Sequence, residues 1–260
     1  MTESRALITG ASAGLGAEFA RQLARKGKDL ILVARRTEPM EALARDLADE
    51  FNVLVDVMQA DLSDADATSM LFAKVSRRGH TVDYLINNAG SVGPDLLDDR
   101  DWPAQQKYIE LIMTSVAGMC HHFIPPMREK GFGRVLNVAS VAGHVSLAGD
   151  TSYGPTKAYV IALSKGLAAT LRGDGVHVLA LCPGFTHTDF HVSDELTRMK
   201  NSMPAFIWYD ADVVIREGLA ALEKGKDVYI SGRLYRYLTP LLRSRLGAFI
   251  TVKMSVKRDY

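Results

Sequence analysis

Eight residues near the amino terminus, Thr9-Gly10-Ala11-Ser12-Ala13-Gly14-Leu15-Gly16, constrain this chain more than any other stretch. They follow the strand-like run Arg5-Ala6-Leu7-Ile8 and lead directly into Ala17-Glu18-Phe19-Ala20-Arg21-Gln22-Leu23-Ala24. The unit reads as strand, glycine turn and helix. Gly10 lets the chain turn sharply, Gly14 admits close approach of a pyrophosphate, and Gly16 lets the helix pack on a sheet with its first N–H groups aimed at phosphates. The spacing is G-x-x-x-G-x-G rather than the commoner G-x-G-x-x-G. An ordinary glycine-rich turn is the competing reading, and the octet alone does not separate the two.

Beyond the octet, strand-like and helix-like runs alternate without a low-complexity linker or an internal repeat, which points to one α/β domain. Leu30-Ile31-Leu32-Val33 reads as a strand, Glu41 to Glu50 as a helix, and Val53-Leu54-Val55-Asp56-Val57 as a strand. Ser63 is placed to cap a helix start. Long helical stretches near Ala104 to Lys130 and Tyr153 to Arg172 bracket the strand Arg134 to Ala139, with Pro155 in the first turn of its helix, where a missing N–H costs little. Asn87-Asn88-Ala89-Gly90 follows the strand Val82 to Ile86, and Pro183-Gly184 follows the strand Val176 to Leu181. Both loops therefore sit at carboxyl ends of strands, where open parallel sheets bind ligands.

Composition excludes several classes. The 260 residues, 47% hydrophobic and 23% charged, suffice for a sizeable core in one domain. A net charge of +1 gives no global reason to expect nucleic acid. Cys120 and Cys182 lack metal-ligand spacing and read as reduced core residues, so no metal is expected. The first strand begins too early to leave room for a signal peptide, and no run of about 18 apolar residues occurs. The expectation is a cytoplasmic chain.

Chemistry enters with Tyr153, which alone among nine tyrosines has a lysine four residues later. On a helix the two share a face, so the Lys157 ammonium can stand beside the phenol. Free tyrosine ionises near pH ~10, and an adjacent cation favours the phenolate, drawing proton transfer toward neutrality. A surface helix produces such pairs by chance, but Ser140 lies thirteen residues before Tyr153 at the end of the strand Arg134 to Ala139. The chemistry expected is proton exchange with an alcohol or carbonyl oxygen.

These four motifs, in this order, make residues 5–232 resemble the short-chain dehydrogenase/reductase family in its single-domain branch. The resemblance implies a doubly wound Rossmann fold, a mostly parallel central sheet with helices on both faces. It implies that Ser140 polarises the substrate oxygen, that Tyr153 is the acid or base, and that Lys157 binds the nicotinamide ribose while tuning Tyr153. It assigns the octet, including Ser12, Ala13 and Leu15, to the cofactor, Asp61 and Leu62 to adenine, and Asn88, Ala89 and Gly90 to the adenosine side. Pro183, Gly184, Thr186 and Thr188 would face the nicotinamide, and assembly as a homodimer or homotetramer is expected. One position departs from the family pattern. Where relatives carry an asparagine that steadies a proton-relaying water, this chain has Ile112. Ser115 shares roughly that helix face and is either a substitute hydroxyl or an ordinary helix residue.

The end of the second strand bears on the cofactor. Ala34-Arg35-Arg36 stands where a carboxylate would select NAD, and two guanidinium groups suit a 2′-phosphate instead. NADP(H) is expected, with Arg35 ahead of Arg36. Solvated loop charges are the competing reading.

Residues 185–210 resemble the family's substrate lid and carry Phe185, Phe190, Met199, Met203, Phe206, Ile207 and Trp208. Either they receive a bulky lipophilic ligand, such as a steroid, a fatty-acyl-derived ketone or an aromatic ketone, or they pack the lid onto the core or a neighbour. His144, His187 and His191 read as polar lining of the mouth. Residues 1–232 are expected to form the catalytic domain and 233–260 a basic, apolar extension of it. From Gly232 onward seven Lys or Arg face one acid, Asp259. That extension either packs on the domain or a partner, closing a lipophilic site, or draws the protein to anionic membrane. The alternation from Ile250 to Lys257 reads as an edge strand. The function expected is NADP(H)-dependent interconversion of a carbonyl and a secondary alcohol. A non-catalytic NADP(H)-binding regulator and a lyase or epimerase on the same scaffold are the alternatives.

Overall fold

A computed structural model describes residues 4–147, 149–187 and 204–242, without the side chains of residues 4, 205 and 240–242. Strand β1 (Ser4–Thr9) enters the octet, and α1 (Gly14–Arg25) leaves it. Gly10 has φ +66 and Gly14 φ +55, both in the left-handed region open to glycine. A Cβ on Gly16 would lie 2.1 Å from the Gly10 carbonyl oxygen. Gly16 thus tightens the turn itself, which is why the helix can start so close behind the strand.

The alternation continues through β2 (Asp29–Ala34), α2 (Glu38–Phe51), β3 (Val55–Gln59), α3 (Ala67–Arg77) and β4 (Thr81–Asn87). Then follow α4 (Trp102–Ile109), α5 (Ser115–Lys130), β5 (Gly133–Val138), α6 (Tyr153–Thr170) and β6 (Val176–Cys182). The remainder comprises β7 (Thr186–His187), β8 (Tyr209–Asp210), α7 (Ala211–Glu223), β9 (Val228–Ile230) and α8 (Arg233–Leu242). The main sheet runs β3-β2-β1-β4-β5-β6-β9 with every pairing parallel, and β7 pairs β8 apart from it. This is the doubly wound Rossmann arrangement, with the order reversing between β1 and β4.

Both faces of the sheet are covered, so its central strands are apolar almost throughout. On one face Phe19 and Leu23 of α1, Met40 and Leu47 of α2 and Ile215 and Leu219 of α7 pack against Ile8, Leu32, Leu136 and Leu181. On the other, Leu71 and Val75 of α3 and Met119, Phe123 and Met127 of α5 pack against Leu7, Ile31, Leu85 and Val135. Two buried amides link the strands to α6: the Asn87 amide donates to Asn137 Oδ1 at 2.8 Å, and the Asn137 amide donates to Ser164 Oγ at 2.9 Å.

Two local expectations fail. Ser63 does not cap a helix: α3 starts only at Ala67, and the Ser63 N–H and hydroxyl both donate to Asp61 Oδ1, at 3.0 and 2.7 Å. The long helix expected near 104–130 is interrupted by a wide π-helical turn, Glu110–Thr114, which holds Ile112. The edge strand expected at 250–257 lies outside the described residues.

Candidate active site

The loops after β1, β2, β3, β4, β5 and β6 open onto one cavity of about 1440 Å³. It runs from Arg35, Arg36, Asp61 and Leu62 past Gly10, Ser12, Ala13, Gly14 and Leu15 to Asn88, Ala89 and Gly90. It then passes Ser140, Tyr153 and Lys157 and ends among Pro183, Gly184, Thr186, Tyr235 and Leu238. Every expected site residue lines it except Gly16, which works inside the turn, and Thr188, which lies outside the described residues.

Two residues the sequence reading passed over, or read differently, hold the cavity floor together. Thr9 Oγ1 accepts from the Asn88 and Ala89 N–H groups at 3.0 Å each. The Asn88 amide in turn donates to the Thr9 carbonyl at 3.0 Å and the Gly10 carbonyl at 3.3 Å. Asn88 therefore locks the two glycine loops to each other across the switch point. Its partner Thr9 could have been suspected only as the hydroxyl residue immediately before the glycine turn.

At the outer end Arg36 Nη2 reaches Ser12 Oγ at 3.4 Å, and Arg35 lies 3.9 Å from the Asp61 carboxylate with its side chain 72% exposed. Burial pushes the Asp61 carboxyl up, but the Ser63 hydrogen bonds and the Arg35 charge outweigh it and hold the group below its ordinary range.

In the centre, β5 delivers Ser140 and the start of α6 delivers Tyr153 and Lys157. Ser140 is in extended conformation, and its Oγ accepts from the Ala142 N–H at 3.2 Å. A Cβ on Gly143 would come within 2.7 Å of the Lys157 backbone, so glycine there lets the Ser140 loop lie on α6. The Ser140 hydroxyl is hydrogen-bonded to the Tyr153 phenol. Lys157 is 7% exposed, donates to the Val138 carbonyl at 3.0 Å, and keeps its ammonium 5.7 Å from the Tyr153 ring centre.

Burial dominates the electrostatics of the pair. Burial, the largest influence, raises the Tyr153 pKa; the Ser140 hydrogen bond opposes it, and the Asp150 and Cys182 charges add to it. The Lys157 ammonium donates to the Val138 carbonyl and is itself pushed down to about 8 by burial. Burial thus favours the protonated phenol.

Other expectations resolve individually. Ile112 is buried, with Cδ1 3.2 Å from where a Gly90 Cβ would stand. The Ser115 hydroxyl donates to the Leu111 carbonyl one turn back, at 2.7 Å, and so is an ordinary helix residue. Neither His144 nor His187 lines the cavity; His187 stacks on Trp208 instead, and His191 lies outside the described residues. Trp208 also packs on Phe185, which does line the cavity, whereas Phe206 is exposed. Phe190, Met199 and Met203 lie outside the described residues. Cys120 and Cys182 are free, buried thiols, each pushed up to about 12 by burial.

Helix α8 is the wall that sequence did not define. The Tyr235 hydroxyl accepts from the Phe185 N–H at 3.3 Å and donates to the Ile207 carbonyl at 2.8 Å, while its ring lies where a Cβ on Gly184 would be. Among the described residues no helix is long and apolar enough to cross a membrane.

Fold and cavity together define a dinucleotide-binding α/β protein with a serine, a tyrosine and a lysine converging at the centre of its groove. The sequence profile of the short chain dehydrogenase family matches residues 4–198, and the chain belongs to that family, whose members are oxidoreductases of alcohols and carbonyls that use NAD(P)(H). Serine 3-dehydrogenase of Agrobacterium fabrum is 34% identical over 189 residues, which is 71% of this chain and 72% of the relative. A short-chain dehydrogenase of Sphingobium yanoikuyae, solved in complex with NADPH, superposes with a TM-score of 0.80 at 30% identity, covering 96% of both chains. The bulky-bulky ketone specific alcohol dehydrogenase of Comamonas testosteroni superposes with a TM-score of 0.78 at 28% identity, covering 97% of this chain and 96% of that one.

Proposed function

We propose that this chain is an NADP(H)-dependent reductase of bulky lipophilic ketones, working reversibly between carbonyl and secondary alcohol. The observation that carries the reading is the meeting of Ser140, Tyr153 and Lys157 in a groove with guanidinium groups at one end and apolar side chains at the other. The groove fits a dinucleotide: the left-handed Gly10 and Gly14 bare the backbone of the octet, and Arg35 and Arg36 stand beside Ser12 and Asp61 with no competing carboxylate on β2's end. Bound there, the cofactor supplies the hydride.

The chain's own residues do the rest. Ser140 holds the substrate oxygen by its hydroxyl, and Tyr153, kept protonated by burial, gives that oxygen its proton. Lys157, buried under Tyr153, supplies a donor to a ribose hydroxyl and positive charge near the transient phenolate. Gly10, Ser12, Ala13, Gly14 and Leu15 cradle phosphates, Asp61 and Leu62 meet adenine, Asn88, Ala89 and Gly90 the adenosine side, and Pro183, Gly184, Thr186 and Thr188 the nicotinamide. The Sphingobium enzyme's NADPH and the Comamonas enzyme's bulky ketones support the choice of cofactor and substrate. Assembly as a homodimer or homotetramer belongs to this reading.

A ketone panel followed at the NADPH absorbance tests it. Tyr153→Phe is expected to lose at least about a hundredfold in turnover, the lower end of what a positioned acid contributes, while NADPH titration stays near the parent. Comparable turnover in the variant overturns the assignment.

A further inference from the structure

The cavity is electrically lopsided. Its cations stand at the adenosine end, Arg35 and Arg36, with Lys157 buried at the centre, whereas the charged side chains lining the opposite end among the described residues are Asp95 and Asp150. Neither takes part in an ion pair among those described.

The two carboxylates differ in what they have left to offer. Asp95 is largely occupied by protein donors: it accepts from Thr151 Oγ1 at 2.8 Å and from the Leu97 and Asp98 N–H groups at 2.7 and 3.0 Å. Among the described residues Asp150 accepts from one group, the Gly154 N–H, which both its oxygens share at 2.9 and 3.0 Å. A carboxylate has about four acceptor sites, so Asp150 keeps capacity toward the cavity it lines.

The seat of Asp150 is shaped for it. Residue 154 is the second residue of α6. A Cβ there would stand 2.6 Å from Asp150 Oδ2, so glycine is what lets the carboxylate lie across the turn, three residues before Tyr153. Its charge reaches the reacting centre, since it disfavours the phenolates of both Tyr153 and Tyr108. Val92, Val145, Leu147 and Leu238 line the same cavity and offer apolar surface to the body of a substrate.

We propose that Asp150 selects substrate by charge: it accepts a hydrogen bond from a hydroxyl or ammonium substituent of a neutral or cationic ketone and turns away ketones bearing a carboxylate. This rests on the reductase reading of the same cavity. A bare helix-capping role for Asp150 is preserved by asparagine, which still accepts from the Gly154 N–H but carries no charge.

The test compares the parent with Asp150→Asn, using para-methyl-, para-aminomethyl- and para-carboxy-acetophenone at pH 7 in the presence of NADPH. Affinity is read by calorimetric titration and turnover in the same samples. The parent is expected to bind the aminomethyl compound best and the carboxy compound worst. Asp150→Asn is expected to shrink the ratio of those two affinities by about tenfold, the scale of one charge-assisted hydrogen bond, and added salt to shrink it in the parent alone. Asp150→Ser, also a capping residue, repeats the measurement should the asparagine variant fold poorly. A ratio unchanged by both variants, a parent preference for the carboxylate, or binding of none of the three overturns the proposal. Should the affinities follow the expected order while no ketone is reduced, it is the reductase reading that fails and the charge selector that stands.

Discussion

Lys157 is an expensive residue in this fold. Its ammonium is satisfied by one carbonyl, Val138, in a setting that pushes its pKa down to about 8 from an ordinary 10.5. Below about pH 8 both folded and unfolded chains hold the proton, and the folded state bears the full cost of a buried charge. Between about 8 and 10.5 the unfolded chain keeps a proton the folded one has released, so stability rises with pH; above 10.5 the contribution is constant. Against Lys157→Met, the parent is therefore expected to gain about 3 kcal/mol of relative stability from pH 7 to pH 10.5, measured by urea unfolding. A flat difference across that window would mean that the ammonium is well solvated. That a residue so costly stands under Tyr153 fits a functional need for its charge. Arg35 makes the opposite case, an exposed cation with a distant partner. Arg35→Ala is expected to weaken NADPH binding by roughly tenfold or more, the loss of charge-assisted hydrogen bonds, and to leave NADH binding unchanged. Equal losses for both cofactors would assign Arg35 to structure.

At the scale of elements, the strand and helix alternation was legible from apolar runs, because a parallel sheet covered on both faces needs them. Boundaries moved where local signals misled: Ser63 looked like a cap but serves Asp61, and the interruption at 110–114 left no mark in a helix-compatible sequence. Helix α8 was read only as a basic, apolar extension that closes a site or meets a membrane. What makes it a wall is the Tyr235 hydroxyl, which ties Phe185 to Ile207 across residues distant in sequence. Tyr235→Phe keeps the ring over Gly184 and removes both bonds. It is expected to raise the KM for a reduced ketone about fivefold with little change in kcat, the effect of losing ~1 kcal/mol of positioning. A fall in Tm with KM unchanged would reduce Tyr235 to a packing residue.

For the whole molecule, the charge lies unevenly along the chain: +6 over residues 232–260 against −5 before them. Deleting residues 241–260 tests the alternative of membrane contact: co-sedimentation of the full chain with anionic vesicles at low salt, lost on deletion, would support it, and equal behaviour of the two chains would end it. Absence of binding by the full chain ends the membrane proposal. The sequence by itself determined the doubly wound plan and the pairing of Tyr153 with Lys157. The plan came from the family resemblance added to an alternation of strand-like and helix-like runs, and the pairing from a helix repeat that brings positions four apart to one face. The sequence also placed the glycine octet, Asn88 and Pro183-Gly184 at strand ends, and so on one rim. Only the tertiary structure decided how these groups behave. The rise of the Tyr153 pKa and the fall of that of Lys157 come from burial, which depends on everything packed around them. Thr9 meets Asn88 across 79 residues and Phe185 meets Tyr235 across 50. No local pattern encodes such pairs, because the chain meets itself there only after the sheet has formed.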